Sequence, residues 1–357
     1  MKMIFRWFPN GDDSVSLDQI RQIPGVSGVA ACMPHIPVGE VWPLDEILAM
    51  SREVNDHGLE MEVIESVNIH EDIKKGLPSR DKLIEDYITT VKHLHTAGVK
   101  CICYNFMPVM DWARSELALP LSDGSTVMAY DHAELNRMDP TSIGDNMHSE
   151  AGGFSLPGWE PERMPQMSAD IGFYQNMSVE QYWQNIKYFI DALMPYADMY
   201  DMNFAIHPDD PPWQLFGLPK VITGVETIRK FLSLNDNKRN GLTLCTGSLG
   251  SDPANDIPAM MREFASQGRI HFAHLRNIKR TPPRDFHETA HLSSCGDLDM
   301  YEIVKALHDS GFDGYIRPDH GRMIWGEVAR PGYGLYDRAL GAEYLIGLWE
   351  ACNKLSR

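Results

Sequence analysis

NGLTLCTGSLGSDPANDIPAMMREFASQGRIHFAHL (residues 240–275) decides the fold. Gly241–Cys245 reads as a short buried strand, Asp256–Ala265 as an amphipathic helix, and Ile270–His274 as a second strand. A strand, a crossover helix and a strand in that order predict two parallel strands side by side. The same unit repeats in both directions along the chain, without repetition of the sequence itself.

Further strands are expected at Met3–Trp7, Gly28–Ala31, Glu60–Ile64, Val99–Tyr104, Met202–Ile206 and Gly314–Pro318. The expected helices are Leu17–Gln22, Leu44–His57, Asp81–Ala97, Val179–Ala197, Val225–Leu234, Met300–Asp309 and Leu335–Asn353, besides Asp256–Ala265. Gly follows at His57-Gly58, Ala97-Gly98, Asn240-Gly241 and Ser310-Gly311, where a helix exit into the left-handed region favours it. Eight strands alternating with eight helices predict a closed (β/α)₈ barrel, one domain over residues 1–357. An open doubly wound sheet is the competing architecture. Residues 105–174 break the rhythm. Rich in Pro, Gly, Ser, Asp and Met, they are expected to form an insertion after the fourth strand, a lid or an oligomer contact.

The chain carries 50 acidic against 32 basic residues, a formal charge of −18. That balance disfavours nucleic acid and anionic lipid as partners, so an anionic substrate needs a local cation in its site. The six Cys show no framework spacing, and no run of apolar residues is long enough to cross a membrane. The start, MKMIFRWFPNGDD, does not read as a signal peptide, and the cytoplasm is the expected location.

Chemistry concentrates at strand ends. His207 closes the fifth strand, Cys245 the sixth and His274 the seventh, and Asp319 stands just beyond the eighth. Barrel enzymes work at that face. Alone, a strand-end His is ordinarily a hydrogen-bonded structural residue and a Cys in an apolar strand is ordinarily core. Together they offer N, S, N and O donors to one region, a metal-ligand set. The thiolate favours zinc or iron over manganese on softness alone. His320 follows Asp319 directly, and Tyr333 lies in a PGYG loop; both are candidate acid–base groups. Arg6, Arg276 and Arg322 near strand ends, with Asn105 after the fourth, are candidate substrate contacts. HETAH at 287–291 matches a zinc-protease pattern that works only on a helix. Pro282-Pro283 before it and Cys295-Gly296 after it predict a loop instead, in which His291 could still face the site. Cys101 and Cys103 read as packed core.

Long strings carry a family resemblance over nearly the whole chain. They are FRW at Arg6, VIES at Val63–Ser66, HEDI at His70–Ile73, YNFMPV at Tyr104–Val109, DGST at Asp123–Thr126, IHPDDPP, ETAHLS, RPDHGR and PGYGLYDRALG. In these the sequence closely resembles the mannonate dehydratase family. The resemblance implies a xylose-isomerase-like barrel, a divalent metal (usually Mn²⁺, with Fe²⁺ or another transition ion open), and conversion of D-mannonate to 2-keto-3-deoxy-D-gluconate and water in hexuronate catabolism. It carries the ligand role onto His207, Cys245, His274 and Asp319, and acid–base roles onto His320 and Tyr333. A homo-oligomer is expected. A metal-dependent sugar isomerase or epimerase on the same barrel is the competing enzyme. A non-catalytic sugar-acid-binding protein would need no acid–base pair.

Overall fold

The computed structural model describes residues 1–355 except 155, 157 and 160, and describes only the backbone at 141, 142, 145, 146, 148, 161 and 162. Positions 155, 157 and 160 of the expected insertion lie outside the described residues.

The strands in chain order are β1 (Lys2–Arg6), β2 (Val26–Ala31), β3 (Glu60–Glu65), β4 (Cys101–Tyr104), β5 (Glu116–Pro120), β6 (Thr126–Tyr130), β7 (Asn203–Ile206), β8 (Asn240–Cys245), β9 (Ile270–Leu275), β10 (Ile278–Thr281), β11 (Asp285–Glu288) and β12 (Tyr315–Pro318). Eight close a barrel in the order β1-β12-β9-β8-β7-β4-β3-β2. Every pairing around that ring is parallel. The expected barrel strands all form, each end within about two residues of its predicted place.

Parallel strands covered by helices are buried on both faces, which is why β8 and β9 are buried at every position. Period two then separates the faces. Ile4, Ala30, Val63, Cys101, Cys103, Ala205 and Phe272 plug the barrel interior. Their neighbours Met3, Phe5, Val29 and Ala273 pack outward against the helices. The two Cys of β4 are therefore core. Side-chain caps start the outer helices: Asp256 accepts from the Ala259 N–H, Ser178 from Gln181 and Asp299 from Glu302. Such a cap contributes about 1 kcal/mol.

Gly58, Gly98 and Gly311 take the left-handed conformation expected of helix exits. Gly241 does not; it lies within β8, where a Cβ would stand 2.3 Å from His271 Nε2. Its smallness serves close packing between adjacent strands.

Residues 105–174 contain more order than their composition suggests. The β5–β6 hairpin joins β10 and β11, which follow the seventh barrel strand, in an antiparallel sheet ordered β10-β11-β6-β5. Helices His132–Leu135, Pro140–Glu150 and Met167–Gln175 and a 3-10 turn at Pro161–Gln166 also belong to the insertion. His287 and Glu288 of the HETAH string thus lie on a strand, not in the expected loop, and are not on a helix. No described helix is long and apolar enough to cross a membrane.

Candidate active site

Continuing the inward period beyond the barrel plug generates the site. Two residues after Ile4 comes Arg6; after Val63, Glu65; after Ala205, His207; after Phe272, His274. These side chains point into the barrel at its C-terminal mouth, where a cavity is lined by Arg6, Glu65, Asn105, His207, Asp210, Arg276, Arg317, Asp319, His320 and Tyr333.

The four expected ligands converge. Donor atoms of His207, Cys245 and His274 all lie within 4.8 Å of one another. Asp319 joins them, with Oδ2 3.3 Å from Cys245 Sγ and Oδ1 3.5 Å from His274 Nδ1. One transition ion with bonds of roughly 2.0–2.3 Å can be shared across such spacings. The chemistry of each donor agrees. His207 Nδ1 is 2.8 Å from the Pro208 carbonyl, which can only accept, so Nε2 keeps its lone pair. Burial pushes the His207 pKa down and, with Arg317 adding to it, that of His274 down to about 4, so both rings are neutral. Burial raises the Cys245 thiol to about 12. The Ser248 hydroxyl and backbone N–H point at that sulfur, at 3.0 and 3.4 Å, and would stabilise a thiolate. Burial also works against the Asp319 carboxylate, but His320, Arg317 and Arg276 outweigh it and hold its pKa well below the usual range. The residues present fit a divalent ion of intermediate softness.

Beside this set, His320 Nε2 stands 3.2 Å from the Tyr333 hydroxyl. Its Nδ1 lies between Glu288 Oε1 at 2.8 Å and Arg276 Nη1 at 2.6 Å. Burial pushes the Tyr333 hydroxyl up to about 12, so it keeps its proton at neutral pH.

The candidate substrate contacts divide. Arg6 and Asn105 line the cavity. Arg6 Nη1 bonds the carbonyls of Trp7 and Ala30, and its guanidinium faces the Cys32 thiol and lies over the Phe8 ring at 4.2 Å. Among the described residues no carboxylate stands within ion-pair distance of Arg6. Arg276 touches the cavity but is committed, bonding Asp210 at 2.7 Å and Glu288 at 2.9 Å. Arg322 and His291 are not brought to the cavity wall. Arg322 is held by Asp337 and Asp123. His291 is buried against Gly341, where a Cβ would stand 2.4 Å from its Nδ1.

Several residues were not visible as site residues in the sequence. Glu65 and Arg317 carry the inward strand period that would have found them. Arg114, Asp210 and Glu288 had no such signal. Arg114 bonds Asp210 through two parallel contacts of 2.8 and 3.0 Å and reaches Glu288 at 3.2 Å. Asp210 is thereby clamped between two guanidiniums, whose charges overcome burial and hold its pKa far below the carboxylate range. Arg276 can thread between these groups because residue 247 is Gly; a Cβ there would lie 1.9 Å from its Nε.

A xylose isomerase domain protein from Planctomyces limnophilus superposes on the chain with a TM-score of 0.55 at 13% identity, covering 99% of this chain and 98% of its own. That likeness defines the class, a xylose-isomerase-like (β/α)₈ barrel, and the fold alone. The chain belongs to the D-mannonate dehydratase (UxuA) family, whose model matches residues 1–357. The mannonate dehydratase of Thermotoga neapolitana is 54% identical over 355 residues, 99% of each chain. The crystal structure of mannonate dehydratase from Streptococcus suis serotype 2 superposes with a TM-score of 0.89 at 46% identity, covering 100% of this chain and 94% of its own. The family is one of hydro-lyases.

Proposed function

We propose that this chain removes water from D-mannonate to give 2-keto-3-deoxy-D-gluconate, as a step of hexuronate catabolism, with a divalent transition ion, Mn²⁺ the first choice. The observation that carries the reading is the conjunction at one mouth of a four-donor set and the His320–Tyr333 pair, 3.2 Å apart.

His207, Cys245, His274 and Asp319 would hold the ion, which supplies fixed positive charge that acidifies the carbon beside the substrate carboxylate. Arg6, within ion-pair distance of no carboxylate among the described residues, binds that carboxylate. Asn105 is placed to take a hydroxyl. His320 accepts the proton from the carbon beside the carboxylate. Tyr333, protonated at neutral pH, donates to the hydroxyl leaving the neighbouring carbon. The resulting enol ketonises to the product, so one C–H and one C–O bond break and one water leaves. Glu288 and Arg276 grip His320 from behind.

The test is a product assay. Purified protein given D-mannonate should form a keto-deoxy acid, lose that activity on chelation and regain it with Mn²⁺ more fully than with Mg²⁺, which suits Cys and His donors poorly. An isomerised or epimerised acid that keeps all its oxygens would overturn the dehydration. Full turnover after exhaustive metal removal would overturn the metal.

A further inference from the structure

We propose that Glu65 is a positioning residue of the metal centre, accepting the Nε2 proton of His274 so that the Nδ1 lone pair of that ring faces the ion. This rests on the reading that His207, Cys245, His274 and Asp319 hold a divalent ion.

Glu65 ends β3 at an inward position, two residues past Val63. Its Oε1 accepts from Arg317 Nη2 at 2.8 Å. Its Oε2 lies 3.4 Å from His274 Nε2, and neither of those buried atoms has a hydrogen-bond partner among the described residues. The ring of His274 is fully buried, so water does not compensate either nitrogen.

The other end of the ring is the one that meets the donor set. Nδ1 stands 3.3 Å from Arg317 Nη2. That Nη2 is already engaged by Glu65 Oε1 at 2.8 Å and Asp319 Oδ1 at 2.7 Å, so it does not compete with an ion for the Nδ1 lone pair. A neutral ring that turns its Nδ1 lone pair to the ion carries its single N–H on Nε2, directed at Glu65. Nδ1 is also the end beside Asp319, whose other oxygen is 3.3 Å from Cys245 Sγ. The ring thus places its lone pair on the side of the other donors and its proton on the side of a carboxylate outside the set. His207 shows the same plan with a different acceptor, its Nδ1 proton being held by the Pro208 carbonyl. Ligating histidines fixed in this way hold both orientation and basicity.

Glu65 also lies within 4.8 Å of Cys103 and His274 donors, a grouping that could suggest a second ion. Arg317 argues against it. Its guanidinium already takes one Glu65 oxygen at 2.8 Å and balances the charge of that carboxylate.

Two measurements test the assignment. In ¹⁵N-histidine spectra of the metal-free wild-type protein, with the His274 signal assigned through His274→Gln, His274 should be protonated at Nε2. Protonation at Nδ1 overturns the proposal whether or not an ion binds. The second titrates metal-free protein with Mn²⁺ alone, reading free Mn²⁺ by its electron spin resonance signal. Glu65→Gln keeps the size of the side chain, but its one carbonyl oxygen must serve either Arg317 or His274 and leave an amide NH₂ against the other. Its Mn²⁺ Kd should rise about 10–100-fold with one ion per chain retained at saturation. A loss of thermal stability with unchanged Kd would make Glu65 only a counter-charge for Arg317 and overturn the proposal. Two ions in the wild type, one of them lost in Glu65→Gln, would make it a ligand and overturn it likewise. A wild type that binds no Mn²⁺ rejects the metal reading itself, a result distinct from equal binding by the two proteins.

Discussion

The imidazole of His320 and the phenol of Tyr333 meet edge to face, ring centres 5.0 Å apart, with Nε2 3.2 Å from the hydroxyl. They come from the turn after β12 and from a loop thirteen residues later, yet face one another across the cavity mouth. The backbone permits it: Gly332, between them, has a φ of 78°, and a Cβ there would press on His320 at 3.1 Å.

That pairing predicts divided roles. Removing a positioned acid or base costs about 10²–10⁴ in rate. His320→Asn and Tyr333→Phe should each lose kcat by that range while still binding Mn²⁺ and mannonate. In deuterated water Tyr333→Phe should still exchange the proton beside the carboxylate, because abstraction survives while elimination stalls. His320→Asn should not exchange. The reverse pattern would swap the two roles, and near-normal turnover in both would move the acid–base chemistry to other groups.

Cys245 separates a ligand from a core residue. As a ligand, its replacement in Cys245→Ala should lower both bound metal and rate. As packing alone, the same change would cost stability through a small cavity and leave metal stoichiometry intact. Metal analysis of the folded variant, alongside its unfolding midpoint, distinguishes the two. The Ser248 donors to the sulfur lead us to expect metal loss.

The barrel was legible because its strands obey one rule throughout: short, apolar, bounded by helices of clear period. The donor set was legible because strand ends sit at known places in that rule. What stayed hidden was charge pairing across long sequence separations. Arg276 read as a substrate contact from its place after β9, but Asp210, 66 residues earlier, and Glu288, on a strand of the added sheet, claim its guanidinium. Arg322 likewise belongs to Asp337. The hairpin of residues 116–130 was obscured for a related reason. Its partner β11 lies more than 150 residues further on, so local composition, heavy in turn-forming residues, dominated the reading.

Those commitments single out Arg6. It is buried, lines the cavity and bonds carbonyls beside an aromatic ring, with no carboxylate among the described residues in ion-pair distance. Arg6→Gln should cut kcat/KM for mannonate by about 10–100-fold, the weight of a charge-assisted hydrogen bond of roughly 1.5–3 kcal/mol. Because metal ligation does not involve Arg6, Mn²⁺ content should stay at the wild-type level. Competition by the neutral mannonate amide, weak in the wild type, should change little in the variant. An unchanged KM and kcat with mannonate would remove Arg6 from substrate recognition.

The far end of the barrel predicts an acid sensitivity unrelated to catalysis. His271, second residue of β9, is 9% exposed, and its Nε2, against Gly241, has no hydrogen-bond partner among the described residues. Burial pushes its pKa down from 6.5 to about 4. A depressed histidine pKa means the unfolded chain binds the proton first, so stability falls as pH drops. The loss begins near pH 6.5, where the unfolded ring charges, and is complete near pH 4, where the folded ring charges as well. A gap of that size corresponds to about 3 kcal/mol. His207 and His274 shift in the same direction, so the absolute slope mixes several groups, and the informative quantity is a difference. Chemical unfolding of wild type and His271→Gln, compared at pH 7.5 and pH 5, should show a smaller pH-dependent loss in the variant, whatever its stability at pH 7.5. Equal losses in the two proteins would mean that the buried ring does not titrate differently between the folded and unfolded states, and the acid sensitivity would then belong to the histidines at the mouth.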